Sequence, residues 1–188
     1  MSTSPPPLSP QQAASTLRDI HDTQRRSQER YGNQAAAPHL IWWGIIWAIG
    51  YGLSISPRWA GPAWDALVPI GIVGSLWLGA RRAPVRAKPH DPRYIATAVA
   101  IFLFFTAMFL VLPPASGEQV GALVPLLVAL IYVLLGIFSA GPRMTWTGVA
   151  IGVFTVAGYL ALPQHFAAWM AVVGGGGLIL GGIWMRSA

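Results

Sequence analysis

Catalysis needs groups that attack, donate protons or hold a metal, and this chain of 188 residues offers few of them. It has no cysteine, so thiolate nucleophiles, thiolate metal sites and disulfides are excluded. Ser139, within Gly136-Ile137-Phe138-Ser139-Ala140-Gly141, is the serine best set for nucleophilic work, and His165 is the base it would need. These two fall at opposite ends of long apolar blocks, about 30 Å apart across a bilayer core. A nucleophile and its base must lie within roughly 3 Å. Acyl transfer is therefore not expected. Asp65, Glu118 and His165 could gather with Arg58 on one face, but no two of them have ligand spacing within one helix, and solvated loop residues are the simpler reading. We expect no catalytic residue, no metal ligand, no cofactor and no enzyme activity.

Two further groupings carry physical chemistry. Arg81, Arg82, Arg86, Lys88 and Arg93 form a basic stretch that Pro84, Pro89 and Pro92 keep extended. Such a stretch suits anionic lipid headgroups or an acidic partner segment, or simply enforces topology. A folded basic surface or reading motif for nucleic acid is absent, so no nucleic-acid partner is expected. The second grouping is glycine: Gly174 to Gly177 in an unbroken run, with Gly181 and Gly182 after it. Each interior glycine costs a helix roughly 0.5–1 kcal/mol relative to alanine in water. A dinucleotide fingerprint is excluded because no strand precedes the run.

The elements that must position these residues follow from composition. The chain is 54% hydrophobic and only 10% charged, against about 25% charged in an average soluble domain. So few charges do not cover a soluble surface of this size. The reading is an all-α integral membrane bundle surrounded by lipid. Six apolar blocks are each long enough to cross about 30 Å of hydrocarbon at 1.5 Å per residue. They span about 39–56, 62–80, 94–112, 120–140, 144–162 and 166–185, making residues 39–186 a six-helix transmembrane domain. With the amino terminus in the cytosol, 11 of the 12 basic residues fall on the inner side and Arg58 alone on the outer. That asymmetry predicts both termini cytosolic and an even number of spans. No secretory leader is expected, because the first 38 residues are mostly polar.

Ahead of the spans, residues 1–8 read as a disordered tail containing Pro5, Pro6 and Pro7. Residues 9–32 read as an amphipathic cytosolic helix: Ser9 in the cap position, Pro10 at the first helical position, and Gly32 or Asn33 as the stop. Leu17 and Ile20 share a thin apolar face, with Asp22–Arg26 and Arg25–Glu29 at pairing distance on the others. This segment is a candidate contact for a cytosolic protein partner.

Inside the bilayer glycine is tolerated, because the alternative to helix is unpaired backbone in hydrocarbon, and it lets helices approach closely. Gly148-x-x-x-Gly152 and Gly177-x-x-x-Gly181 have the spacing for such contacts, within one bundle or between protomers of a homo-oligomer. The sharper reading makes Gly174, Gly175, Gly176 and Gly177 a hinge or helix break that exposes carbonyls to a solute. None of the six blocks has an ionisable residue near its centre, which argues against a proton relay. Gly50-Tyr51-Gly52-Leu53 before Trp64, and Gly158-Tyr159-Leu160 before Trp169, echo each other, as an old hairpin repeat or as two hairpins meeting the same interface.

Leu17-Arg18-Asp19-Ile20, Arg25-Arg26 and Trp42-Trp43-Gly44 at one end, with Leu162-Pro163, Trp169-Met170-Ala171 and Trp184-Met185-Arg186 at the other, resemble small uncharacterised bacterial multi-pass membrane proteins. The resemblance implies bacterial origin and an inner-membrane location, and carries no activity. The expected function is a non-enzymatic regulatory or interaction component acting through helix packing and residues 9–32. The alternative is a small permease or channel for a neutral or hydrophobic solute.

Overall fold

The structure is a computed structural model that describes residues 10–82, 92–138 and 142–187. Among the described residues each apolar block is helical over nearly all of its length, and there is no strand. The helices are α1 (Pro10–Ser54), α2 (Pro57–Arg82), α3 (Pro92–Val111), α4 (Gly117–Phe138) and α5 (Pro142–Ala161). A last helical stretch, Pro163–Arg186, opens with a 3-10 turn at Pro163–His165 and switches to π-helix over Met170–Gly175. Among the described residues four helices are long and apolar enough to cross a bilayer: α2, α4, α5 and the last helix. In α3 the apolar stretch identified is the shorter Val99–Val111. The second half of α1 carries Trp42, Trp43 and Trp47 with Gly44, Gly50 and Gly52, residues of low hydropathy.

The largest departure from the sequence reading is in α1. The expected stop at Gly32 or Asn33 is absent, and residues 9–32 do not form a helix separate from the first span. One helix runs from Pro10 through Pro38 to Ser54, about 68 Å at 1.5 Å per residue. The reason is local and tertiary together. Gln34-Ala35-Ala36-Ala37 is strong helix former, and Asn33, Ala37 and Leu40 are buried. Each stop residue costs of order 1 kcal/mol, which that packing outweighs. Ser9, the expected cap, lies outside the described residues. The tail at residues 1–8 lies outside the described residues, as do the side chains of Arg25, Arg26 and Glu29.

Two hairpins make the bundle. α1 folds back on α2, α4 on α5, and the last helix lies along α1 while also touching α5. The core runs through Leu40, Trp47 and Tyr51 of α1, Ala129 of α4, Ile151 of α5, and Phe166, Met170, Leu178 and Met185 of the last helix. Among the described residues α3 has no extended contact with any other helix. Its Phe102 is 70% exposed and its Leu110 78%. In water such a face would be costly, and hydrocarbon removes that cost.

Candidate functional site

The close contacts of the bundle are made by glycines and small residues, the pair Gly44-x-x-x-Ala48 of α1 among them. A Cβ on Gly175 would lie 2.7 Å from the Ala48 amide nitrogen, and one on Gly182 would lie 2.8 Å from the Ala37 carbonyl oxygen. Across the same seam a Cβ on Gly44 would stand 2.8 Å from the Gly175 carbonyl oxygen. The last helix thus meets α1 backbone to backbone at positions two turns apart. Gly148 packs in the same way on α4, where a Cβ would be 2.7 Å from the Ala129 carbonyl oxygen, while Gly152 makes only ordinary contact with Ala129. Gly174 sits against Met170 and Trp47, and Gly181 against Thr147.

Gly176 and Gly177 differ. A Cβ on either would meet nothing within 4 Å. Of the pair Gly177-x-x-x-Gly181, then, Gly177 packs on no neighbouring helix, whereas Gly181 stands tightly against Thr147 of α5. Gly174, Gly177 and Gly181 line one wall of a half-open groove of about 370 Å³, within the roughly 300–1,000 Å³ of ligand pockets. The opposite wall is α5, through Trp146, Ala150, Ile151, Phe154 and Thr155.

Beside part of the groove the last helix is not a regular α-helix. Over Met170–Gly175 it pairs i to i+5, a wider turn that occurs mostly as single bulges at functional sites. Glycine has no side chain to crowd the widened turn, and Gly174 and Gly175 are both buried. Through Gly174 to Gly177 the helix is continuous: Gly174 and Gly175 end the π segment, and Gly176 and Gly177 begin regular α-helix.

Polar groups are sparse along the groove. The Thr147 hydroxyl donates to the Arg143 carbonyl at 2.8 Å. Thr155 is 0% exposed, and its hydroxyl has no hydrogen-bond partner. At one mouth stand Trp146 and Trp184. There the Arg143 guanidinium donates to the Trp184 carbonyl at 2.7 Å and lies 5.0 Å from its ring. That arrangement fixes the end of the last helix to the start of α5.

No protein-family model matches this chain, and no curated protein or solved structure matches it either.

The other residues singled out in the sequence are scattered. Arg81, at the end of α2, is exposed and places its guanidinium 3.8 Å from the centre of the Trp77 ring. Arg82 closes α2 and Arg93 stands in the first turn of α3, whereas Arg86 and Lys88 lie outside the described residues. Ser139 also lies outside them. Asp65, Glu118 and His165 are exposed on three different helical elements, and no group of three metal-binding side chains occurs among the described residues.

The two echoing hairpins share a mechanism. The Trp64 indole covers Gly50, and its Nε1 donates to the Ser54 hydroxyl at 3.1 Å. The Trp169 indole covers Gly158, and its Nε1 donates to the Phe154 carbonyl at 2.9 Å. Phe166 joins the two sets, lying 6.3 Å from Tyr51 and 5.8 Å from Tyr159, edge-on to both. Sequence reasoning did not find Thr155, Phe154 or Met170 as groove residues. It weighed only ionisable groups at membrane depth, and a lone hydroxyl carries no periodic signal.

Proposed function

We propose that this chain is a non-enzymatic multi-pass membrane protein, a regulatory or interaction component of a bacterial inner membrane. In this reading all six apolar helices cross the bilayer, and residues 10–32 lie on the cytosolic side with Arg81, Arg82, Arg143 and Arg186. The loop-charge asymmetry supports that orientation. The observation that carries the function is the unbroken helix α1. Its first half shows exposed polar and charged side chains such as Arg18, Asp19 and Asp22, and its second half is locked on the last helix through Gly44, Ala48 and Ile41. A change of packing beside the π segment is therefore carried along a stiff rod to a surface suited to a protein partner.

The test has two variants. Deleting residues 1–32 should abolish the cellular phenotype and partner association while leaving the bundle folded in the membrane. Inserting three glycines between Asn33 and Gln34 should keep partner association but uncouple it from the bundle. An unchanged phenotype and unchanged copurifying partners after the deletion would reject the reading.

The groove favours a second reading, a small permease for a neutral or hydrophobic solute, because it runs beside the last helix and holds no ionisable group among its lining residues. Solute uptake by reconstituted liposomes, lost in Gly177→Leu, is the expected result; uptake no faster than in empty liposomes excludes it.

A further inference from the structure

One end of the groove between α5 and the last helix carries a single sign of charge. Residues 119–188, which supply both walls, contain Arg143 and Arg186 and no acidic residue. Arg143 is half-buried, and its guanidinium lies 5.0 Å from the ring of Trp184, a residue of the groove lining. One of its donors is taken by the Trp184 carbonyl. Among the described residues no acidic side chain pairs with it. A guanidinium has further N–H groups in a planar fork that matches the oxygens of a phosphate.

Beyond that end the walls offer hydrocarbon. Ala150, Ile151, Phe154, Met170 and Val173 line them, beside the open flank of Gly177. The hydroxyls of the lining make no demand on an occupant: Thr147 donates to the Arg143 carbonyl, and Thr155 has no exposed surface. A solute rich in polar groups would leave them unpaired here, at a high cost. Along α5 the lining runs from Trp146 to Thr155, about 14 Å at 1.5 Å per residue. Half of a bilayer core is about 15 Å, the depth of one leaflet. Trp146 and Trp184 stand at the charged end, and indoles concentrate at the level of the headgroups. An apolar slot one leaflet deep, with a cation at its headgroup end, is complementary to an anionic amphiphile.

We propose that this groove holds one acyl chain of an anionic phospholipid, whose phosphate accepts hydrogen bonds from the Arg143 guanidinium. The chain lies along Gly177, where the missing side chain leaves room, and the headgroup emerges beside Trp146 and Trp184. Phosphatidylcholine fits the same walls but brings a cation of its own toward the arginine, so the net negative lipid is preferred. The site is distinct from the basic stretch at Arg81 to Arg93, none of which lines the groove. It needs neither a partner for residues 10–32 nor solute uptake.

The test uses the full chain in phosphatidylcholine nanodiscs, into which phosphatidylglycerol brominated on the upper part of one acyl chain is titrated. Phosphatidylcholine brominated at the same carbons is the comparison. Bromine quenches nearby indoles, and a Trp146→Phe, Trp184→Phe double variant gives the background from the other tryptophans. The anionic lipid should quench the groove tryptophans at a roughly tenfold lower mole fraction, the scale of one charge-assisted hydrogen bond. Arg143→Gln should remove that preference and Arg143→Lys should retain it. Arg81→Gln, at the end of α2, should leave it unchanged. Gly177→Leu should remove it, because the acyl chain then has no seat. Equal quenching by the two lipids in the unmodified protein overturns the proposal, as does a preference that survives Arg143→Gln or Gly177→Leu. Quenching by neither lipid above the background, as when a second copy of the chain covers the groove, overturns it as well.

Discussion

Adjacent glycines in one helix do opposite jobs here. Gly175 has α1 backbone against it, while Gly177, two residues on, faces open space. A side chain at Gly175 must push Ala48 away, and overpacking of this kind costs about 1–3 kcal/mol. Gly175→Leu should therefore lower the melting temperature of detergent-solubilised protein by several degrees. Gly177→Leu should leave it unchanged or raise it, since leucine is the better helix former. Equal destabilisation by the two would show that Gly177 is also a packing surface. The run of four glycines was visible in the sequence as an invitation to close packing. Which member packs and which stays open depends on the phase of the helix, and the π turn shifts that phase between Met170 and Gly175.

At the level of elements, two devices hold the bundle and one helix stands aside. The first device is the glycine seam between α1 and the last helix. The second is the tryptophan laid over a glycine: Trp64 on Gly50 and Trp169 on Gly158 in the two echoing hairpins, and Trp43 on Gly71 and Trp42 on Gly74 between α1 and α2. The sequence echo between these hairpins was legible because both need the same parts: a helix without a side chain, an indole to fill the gap, and an acceptor for its N–H. α3 has neither device. Phe102→Ala in α3 should change stability by less than about 0.5 kcal/mol, because the side chain leaves one hydrocarbon setting for another. Leu40→Ala, at a position fully enclosed between α1 and the last helix, should cost about 2–5 kcal/mol. Denaturant titration in the same detergent compares them directly, and a large loss at Phe102 would place α3 inside an interface. The boundary at Gly32 was misread because turn signals act over a few residues, whereas the burial of Ala37 and Leu40 acts across the whole bundle.

For the whole molecule, the absence of cysteine makes the proposed orientation easy to examine. Single cysteines at Arg58, Arg143 or Arg186 can be labelled in intact cells with a membrane-impermeant maleimide. The expected outcome is labelling at position 58 only, with 143 and 186 reacting after the membrane is opened. Labelling at both 58 and 143 in intact cells would mean an even number of crossings between them and would overturn the three expected.

Composition and block length by themselves determined that this chain is helical and that its apolar segments are long enough to seek a bilayer, because backbone in hydrocarbon must satisfy its own hydrogen bonds. The described part of each of the six blocks is helical apart from one or two residues at its end. Tertiary structure alone decided that α1 is one rod, that Gly175 and Gly182 rather than Gly177 and Gly181 form the seam, and that Thr155 is left without a partner beside a groove. Those outcomes depend on which faces meet, and a single strand of sequence carries the period of a helix but not the identity of its neighbour.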